Sequence, residues 1–281
     1  MILLTGAKGF VASAISKHLD SHIAIDKDDC DLTDYEQVKQ LPDNITEVWH
    51  FAAYNNTKHF YSKPFDVLDN TLSPTLNLLK RYPNARFVYA SSSEVYAGAV
   101  TNDLVPVPTP EVNISLIDGI DNPRWSYAGS KLLGEIAVHS AHVQNGIDYL
   151  ILRYHNVYGA EQQAHFIPEF LERAKQGDLT LPGAHQTRAF CYIDDAAELT
   201  TIVANIAHNE TVHIGNPTES TIQEVAQAIL SIANIKGTVE PLPEMLGSVD
   251  RRCADVTRML ELVGDYEFTD LQQGLRASIL S

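Results

Sequence analysis

The sequence predicts an α/β fold whose first part is a doubly wound parallel sheet with helices on both faces. Short runs rich in β-branched and aromatic residues alternate with longer amphipathic stretches up to residue 160, the usual pattern of strands joined by helices in a parallel sheet. A glycine-rich turn follows the first such run. The predicted strands are Ile2–Thr5, His22–Ile25, Glu47–Phe51, Ala85–Ala90 and Asp148–Arg153. The predicted helices between them include Val11–Leu19, Phe65–Arg81 and Ser126–Asn145.

Beyond Gly159 the alternation is less regular. The predicted helices there are Ile167–Lys175, Asp195–Ala207 and Ile222–Ala233. Ser220 and Gln223 have the spacing of a capping box. We expect residues 1–159 to form the larger domain. Residues 160–281 should form mainly a smaller α/β domain over the carboxyl edge of the sheet, where open α/β folds bind ligands, with the chain free to cross back. The polar stretch 101–123 is predicted to be a loop near the active site.

The charge of the chain limits its partners. Its 281 residues are 44% hydrophobic and 20% charged, an ordinary globular composition. The formal net charge of −16 argues against a protein that coats nucleic acid, because phosphate backbones require a basic face. A small anionic ligand stays compatible with this charge, since a few local arginines and helix termini can hold one.

No membrane segment or metal site is indicated by the sequence. Apolar runs fall short of the ~20 residues that span a bilayer, and Met1–Thr5 has the character of a strand rather than a signal peptide. A cytoplasmic location without a membrane partner is therefore expected. Cys30, Cys191 and Cys253 stand alone, and the eleven histidines contain no HExxH pair, so free thiols and no metal are predicted.

The glycine-rich turn Thr5–Ser13 contains Gly6, Gly9 and Ala12 in the spacing GxxGxxA. Such a turn lets backbone amides approach a pyrophosphate, which then lies at the positive end of the following helix. The turn predicts a dinucleotide site of the Rossmann type. A plain strand-to-helix turn is the alternative.

Acidic residues after the second predicted strand bear on the choice of dinucleotide. Asp26 lies 20 positions after Gly6, where a carboxylate accepts hydrogen bonds from ribose hydroxyls and opposes a 2′-phosphate. NAD is therefore favoured, although Lys27 could instead attract that phosphate, which keeps NADP open. Asp31 is a candidate for contact with the adenine edge. Each aspartate taken alone is equally typical of a turn or cap.

Tyr127 and Lys131 open a predicted helix at four-residue spacing, which places both side chains on one face. A lysine near a tyrosine hydroxyl favours the phenolate, so Tyr127 is a candidate general base. Ser91–Tyr96 follows the fourth predicted strand and supplies hydroxyls and a carboxylate, Glu94, for the same site. Polar residues that merely end a strand are the alternative.

These motifs occur in a fixed order along the chain. They are the glycine turn, Phe51-Ala52-Ala53, Ser91–Tyr96, Tyr127–Lys131, Arg153–Gly159, Gln186–Asp195 and Arg251–Asp255. Together they resemble the NAD-dependent epimerase/dehydratase family, the extended short-chain dehydrogenases, over nearly the whole chain. The resemblance implies a Rossmann-type sheet, a smaller C-terminal α/β substrate-binding domain, NAD or NADP as cofactor, and a nucleoside-diphosphate sugar as substrate.

The resemblance also implies roles for individual residues. Tyr127 becomes the base and Lys131 its partner, which also holds the nicotinamide ribose, while Ser92 binds the substrate oxygen at C4. Ser93 and Glu94 complete the catalytic set. Implied cofactor contacts are Gly6, Gly9, Phe10, Val11, Asp26, Lys27, Asp31, Leu32, Ala52, Ala53, Asn70, Tyr127, Lys131 and Tyr154. Implied substrate contacts are Ser92, Asn156, Arg188, and one of Arg251 or Arg252. The resemblance implies that the arginines bind the diphosphate of the substrate. Weak ion pairs at the protein surface are the alternative for these arginines.

The chain departs from the family pattern at several positions. Ala12 occupies a position where the family commonly has a third glycine. Ala97 follows Tyr96 at a position where the family often has glycine. Ser93 occupies the place of an aspartate in many 4,6-dehydratases. Glu94 matches the carboxylate that dehydratases use at C5, and the serine–glutamate pair is similar to that of nucleotide-sugar decarboxylases and some dehydratases.

The leading hypothesis is transient oxidation of a nucleotide sugar at C4, followed by dehydration, epimerisation or decarboxylation at C5. The alternatives are an NAD(P)H-dependent reductase of nucleotide 4-ketosugars and a catalytically idle dinucleotide-binding module. The resemblance further implies a homodimer formed through the helices Phe65–Arg81 and Ser126–Asn145.

Overall fold

A parallel sheet of six strands lies at the centre of the protein. The computed structural model describes residues 1–55, 57–244 and 248–280. Their strands are β1 (Ile2–Thr5), β2 (His22–Ile25), β3 (Glu47–His50), β4 (Arg86–Ser92), β5 (Tyr149–Tyr154), β6 (Val157–Tyr158), β7 (Thr180–Pro182), β8 (Thr187–Ala189), β9 (Cys191–Tyr192), β10 (Glu210–Ile214), β11 (Glu219–Thr221), β12 (Glu240–Leu242) and β13 (Arg251–Arg252). Their helices are α1 (Phe10–Ser16), α2 (Tyr35–Val38), α3 (Thr57–Ser62), α4 (Pro64–Arg81), α5 (Ala97–Thr101), α6 (Trp125–Asn145), α7 (Phe166–Lys175), α8 (Ile193–Ile206), α9 (Ile222–Ile232), α10 (Thr257–Val263) and α11 (Leu271–Leu280), with a 3₁₀ helix at Ser93–Tyr96.

The strand order of the central sheet is β10-β5-β4-β3-β1-β2, and every pair is parallel. The chain passes from β2 to β3 across β1, so the direction of winding reverses there. In open α/β sheets the crevice beyond the carboxyl ends of the strands at such a reversal is the place where ligands bind. The predicted doubly wound fold is confirmed.

Most predicted elements agree with the structure to within two residues. Helix α1 ends earlier than expected, at Ser16, because the next amides bond to carbonyls three residues back rather than four. The predicted capping box at Ser220 and Gln223 is wrong by one position. Thr221 is the N-cap of α9, and its side chain and that of Glu224 bond each other's backbone amides. The sequence also did not predict β10, which joins the edge of the sheet beside β5.

The second half of the chain contributes to both parts of the molecule. Helix α8 and strand β10 pack into the core of the central sheet, whereas α7, α9 and α11 surround a separate apolar cluster with β7. Strand β8 pairs with β11 on one side and with β13 on the other. The division at residue 159 stays a prediction, and residues 245–247 and 281 of the range 160–281 lie outside the described residues. Within the described residues, no helix is both long enough and apolar enough to cross a membrane.

A buried ion pair joins α6 to the sheet. Arg153 of β5 and Glu135 of α6 are 3% and 8% exposed at their side chains, and Arg153 Nη2 lies 2.6 Å from Glu135 Oε2. Ser91 of β4 donates to the same carboxylate at 2.5 Å, and Arg153 also donates to the Tyr96 hydroxyl. The pair therefore fixes α6, β4, β5 and the 3₁₀ helix against one another.

Removing one partner should leave the other as an uncompensated buried charge. We expect Arg153→Ala to lower the free energy of unfolding by about 3–5 kcal/mol, measured by urea titration. Arg258→Ala is the matched control. Arg258 pairs with Glu210 at 2.7 Å but its side chain is 41% exposed, so the loss there should be at most about 1 kcal/mol. Equal losses in the two variants would contradict a special role for the buried pair.

Candidate active site

The turn after β1 has a backbone that only glycine accommodates. Gly6 adopts φ +70°, and a Cβ there would lie 2.7 Å from the Ala52 amide nitrogen. A Cβ on Gly9 would lie 2.9 Å from the Gly6 carbonyl oxygen. Gly9 is also the N-cap of α1 and has no side chain to bond the first helical amides. These amides stay available for a pyrophosphate, so the turn fits a dinucleotide.

Asp26 holds its carboxylate beside the glycine turn. One oxygen accepts from the Lys8 amide at 2.9 Å and the other from the Lys27 amide at 2.7 Å. The carboxylate is thus oriented at the carboxyl end of β2, where a ribose hydroxyl would donate to it. A phosphate on that ribose would meet this negative charge, which favours NAD over NADP.

Asp31 and Leu32 lie farther along the same crossover. The Asp31 carboxylate accepts hydrogen bonds from the amide and the hydroxyl of Thr33 at 3.0 and 2.7 Å. The bond from the hydroxyl is the main cause of the lowered pKa of Asp31. Leu32 is buried, and its carbonyl accepts from Asn77 at 2.9 Å. Both residues are thus fixed by the protein, and their contacts with adenine stay predictions.

The polar groups of Asn70 and Tyr154 also bond to the protein. Asn70 donates to the Asp66 carbonyl of its own helix at 2.8 Å. The hydroxyl of Tyr154 bonds to Thr200 at 2.7 Å, and its ring meets Phe51 edge-on at 6.0 Å. The ring of Tyr154, rather than its hydroxyl, is therefore the part suited to contact a cofactor.

The remaining predicted cofactor residues lie in the elements that follow β1 and β3. Phe10 and Val11 form the first turn of α1 and are partly buried against the central core. Ala52 and Ala53 follow β3, and the Ala52 amide donates to the Thr5 hydroxyl at 3.3 Å. The crossover after β3 is thereby tied to the end of β1, beside the glycine turn.

Tyr127 and Lys131 lie together at the amino end of α6. Tyr127 is 6% exposed, and its ring stacks on Phe60 at 5.0 Å. The Lys131 ammonium donates to the Ala90 carbonyl at 2.6 Å and lies 5.9 Å from the centre of the Tyr127 ring. Burial lowers the pKa of Lys131 to about 7, against the opposing charge of Glu135.

The ionisation of Tyr127 differs from the expectation that Lys131 favours its phenolate. Burial and then the charge of Glu94 raise the pKa of Tyr127 above its ordinary value, and a hydrogen bond with Ser92 lowers it only in part. Tyr127 is therefore protonated in the protein without ligands. A proton-accepting role requires that bound ligands lower this pKa again.

Glu94 is held by two arginines. Arg124 donates to Glu94 Oε2 through Nε at 2.9 Å and through Nη2 at 2.7 Å. Arg252 approaches the other oxygen at 2.6 Å. Burial opposes the charge of Glu94, but Arg252 and Arg124 outweigh it and lower the pKa to about 2. Glu94 is therefore ionised at any physiological pH.

Pairing of β8 with β13 brings Arg188 next to Arg252, since the two residues are partners in the ladder. Burial and then the charge of Arg252 lower the pKa of Arg188 to about 9. Arg251 has its side chain elsewhere: it bonds Glu219 at 2.5 Å and is about half exposed. Of the two candidates, Arg252 and not Arg251 reaches Glu94. Arg188 itself donates to the Thr187 and Asp250 carbonyls and to the Gln186 side chain. Two guanidiniums thus contact Glu94 and a third lies beside Arg252, a group of positive charges in a chain of charge −16.

The other substrate candidates and two unpredicted residues complete the site. Asn156 has φ +39°, and its amide donates to the Ala189 carbonyl at 3.0 Å. Ser93 is buried at the start of the 3₁₀ helix. The sequence did not single out Arg124 or Phe60. Arg124 could have been found, because it lies one helical turn before Tyr127.

The glycine turn, the oriented carboxylate and the tyrosine–lysine–serine group define a dinucleotide-binding enzyme of the α/β class. The chain belongs to the NAD dependent epimerase/dehydratase family, which matches residues 2–215. The family predicted from the motifs is confirmed, and with it the expectation of an NAD-dependent enzyme. The roles of single residues stay predictions.

Relatives and solved structures are similar over most of the chain. UDP-glucuronic acid decarboxylase 1 of Danio rerio is 27% identical over 99% of this chain and 71% of its own length. UDP-N-acetyl-alpha-D-glucosaminuronate decarboxylase of Bacillus cytotoxicus is 29% identical over 88% of this chain and 80% of its own. The crystal structure of UDP-glucose 4-epimerase from Thermotoga maritima, 22% identical, has a TM-score of 0.86 and covers 99% of this chain and 97% of its own. This likeness shows the shared fold.

Tyr127→Phe removes one proton-carrying oxygen from the site with little change of volume. We expect the variant to fold and bind NAD as the wild type does, but to lose ~10²–10⁴-fold of turnover on a competent nucleotide sugar. Calorimetric titration with NAD and steady-state kinetics measure the two effects. Tyr149→Phe removes the same atom from a buried tyrosine of β5 and should leave turnover unchanged. Near-normal turnover of Tyr127→Phe would exclude Tyr127 as the base.

Proposed function

We propose that the protein decarboxylates a nucleoside-diphosphate uronic acid by transient, NAD-dependent oxidation at C4 of the sugar. The observation that carries this proposal is the excess of positive charge where Arg124 and Arg252 contact Glu94 and Arg188 lies beside Arg252. A neutral sugar has no anion for such a cluster beyond its diphosphate, whereas a uronic acid brings a second anion, the C5 carboxylate. Both curated relatives described above are decarboxylases of such acids by name.

The first step assigned to the chain is proton transfer at the 4-hydroxyl. Tyr127 accepts the hydroxyl proton, and Ser92, which shares a hydrogen bond with Tyr127, binds the same oxygen. NAD, which the glycine turn and Asp26 would hold, would supply a hydride acceptor and donor for C4. The 4-ketone that results makes the C5 carboxylate a β-keto acid.

Loss of carbon dioxide follows from that arrangement. The bond between C5 and the carboxylate breaks, and its electron pair moves into the C4 ketone to give an enolate. C5 then takes a proton from solvent water, and Tyr127 returns its proton to the C4 oxygen when C4 is reduced again. The arginines hold the carboxylate and the diphosphate in fixed geometry.

The ion pairs of Glu94 favour a positioning role for this residue. The sequence predicts a proton carrier at C5, but a carboxyl group whose pKa is about 2 is a poor proton acceptor near neutral pH. Glu94 instead orients Arg124 and Arg252 and offsets part of their mutual repulsion. It would serve as a proton carrier only if a bound anion displaced it from both arginines.

Isotope release tests the proposed reaction. The protein with NAD should release labelled carbon dioxide from a nucleoside-diphosphate uronic acid carrying ¹³C in its carboxylate, and mass spectrometry should find a nucleotide pentose. Arg252→Gln should lose about 10²–10³-fold of this activity, whereas Arg251→Gln, its outward-facing neighbour, should keep it. Formation of a 4-epimer that keeps its carboxylate would contradict decarboxylation and indicate an epimerase. Consumption of NADH with a 4-ketosugar would instead indicate a reductase.

We also infer that the protein is a homodimer assembled through α4 and α6, which pack side by side. Helix α4 exposes Phe65 (76%), Leu68 (39%) and Leu76 (37%) at helical spacing. Helix α6 exposes Leu133 (45%), Ile136 (52%) and Val143 (73%). Two adjacent apolar stripes of this kind could be buried against the same surface of a second copy of the chain. A cytoplasmic location is a further expectation, supported by the three buried, unpaired cysteines.

Light scattering after gel filtration tests the dimer. Ile136→Asp combined with Val143→Asp should reduce the measured mass from twice the chain mass to the chain mass, because both charges would be buried between the copies. Ile120→Asp is the control: Ile120 is 93% exposed and lies outside both helices. A wild-type protein that elutes as a monomer would refute the inference.

A further inference from the structure

A buried histidine at the end of β3 has no role among those assigned so far. His50 is 1% exposed and is the last residue of its strand, as Thr5 is of β1. The two residues are partners in the parallel ladder, so their side chains lie on the same face of the sheet. Thr5 directly precedes Gly6 of the glycine turn, and His50 therefore lies at the edge of the sheet where NAD is expected to bind.

Both ring nitrogens of His50 have hydrogen-bond partners. Nδ1 lies 2.8 Å from the hydroxyl oxygen of Thr5, and Nε2 lies 3.0 Å from the hydroxyl oxygen of Thr75 on α4. Both threonines are 0% exposed. Because a buried polar group without a partner costs free energy, the three side chains form one continuous chain of hydrogen bonds from β1 through β3 to α4.

The ring of His50 is neutral. Burial and then the positive charge of Lys131 lower the pKa of His50 to about 3. A neutral imidazole has one nitrogen that donates a hydrogen bond and one that accepts. The direction of both hydrogen bonds is therefore fixed once the protons of the two threonines are placed.

The neighbours of the two threonines place these protons. The Ala52 amide donates to the Thr5 hydroxyl at 3.3 Å, which leaves the Thr5 proton available for Nδ1 of His50. The Thr75 hydroxyl donates to the Thr71 carbonyl at 3.3 Å, so it accepts from Nε2. With the proton of His50 on Nε2, every donor in this chain of hydrogen bonds has an acceptor.

The Ala52 amide at the end of this chain lies against the glycine turn. A Cβ on Gly6 would lie 2.7 Å from that amide nitrogen, so a shift between the two segments changes the space at the turn. We propose that His50 is a positioning residue for NAD: its Nδ1 orients the Thr5 hydroxyl, which holds the Ala52 amide and thereby fixes the crossover after β3 against the glycine turn. The contact of Nε2 with Thr75 stabilises the core and sets the tautomer.

The first test is the tautomer of His50 in the wild-type protein. Long-range ¹H–¹⁵N correlation in a ¹⁵N-histidine-labelled sample at neutral pH should show an unprotonated Nδ1 and a protonated Nε2. The signal of His50 is assigned by its loss in His50→Asn. A proton on Nδ1, or a charged ring, would overturn the proposal.

Binding of NAD to two His50 variants tests the positioning role. Asparagine places an oxygen near the position of Nδ1, and glutamine places its amide nitrogen near that of Nε2, so each variant keeps one of the two contacts. His50→Asn should bind NAD as tightly as the wild type, whereas His50→Gln should raise the Kd about 10-fold in calorimetric titration. A Kd in His50→Gln no higher than that in His50→Asn would overturn the positioning role.

Thr5→Val tests the same role with His50 intact, because valine has the shape of threonine without the hydroxyl. This variant leaves the Ala52 amide without its acceptor and should raise the Kd for NAD about 10-fold. Thr75→Val is the matched control: it loses an equally buried hydroxyl on the other side of the ring and should leave the Kd unchanged, although both variants lose stability in urea. Equal Kd values in the two threonine variants would contradict the proposal, and the result does not depend on which reaction the protein catalyses.

Discussion

The arrangement of the active site depends on the buried pair between Glu135 and Arg153. Its two side chains are almost fully removed from water, so neither charge is tolerable without the other. The Ser91 hydroxyl shares the carboxylate. Through these contacts one ion pair sets the distance between α6, which supplies the tyrosine and lysine, and β4, which ends at the serine that faces them.

The same carboxylate tunes the lysine of the site. Glu135 lies one helical turn beyond Lys131, and its charge raises the pKa of Lys131, while burial lowers that pKa more strongly. Glu94, whose side chain is 17% exposed, contacts two guanidiniums that hold it ionised. The two carboxylates therefore differ in role: Glu135 ties α6 to the sheet through Arg153, and Glu94 holds Arg124 and Arg252.

Sequence periodicity predicted the inner strands β4 and β5 well because they are buried on both faces and read as nearly continuous apolar runs. Strand β10 was not predicted because Glu210 and His213 interrupt its apolar residues, and its pairing with β5 becomes visible only in the fold. The capping box was misplaced since Ser220 and Thr221 are both good caps, and only the backbone conformation chooses between them.

Side-chain direction was the harder part of the site to predict. Arg251 and Arg252 occupy a strand of two residues, so successive side chains point to opposite faces. Which one enters the site depends on the register with β8, about sixty positions earlier in the chain. Motif order identified both arginines as candidates but held no information on that register. The ion pairs that keep Glu94 ionised are likewise a tertiary property, since Arg124 and Arg252 reach it from distant segments.

The charge of the cluster points to what it binds. A chain of net charge −16 gains no general attraction for an anionic ligand, so affinity must come from local groups. Arg188 shows that these groups are not balanced by the protein itself: burial and the neighbouring Arg252 lower its pKa to about 9. An anion placed beside Arg188 and Arg252 would reverse that effect and raise the pKa of Arg188. Such an anion also offsets the repulsion between Arg188 and Arg252, so the excess of positive charge favours an anionic ligand.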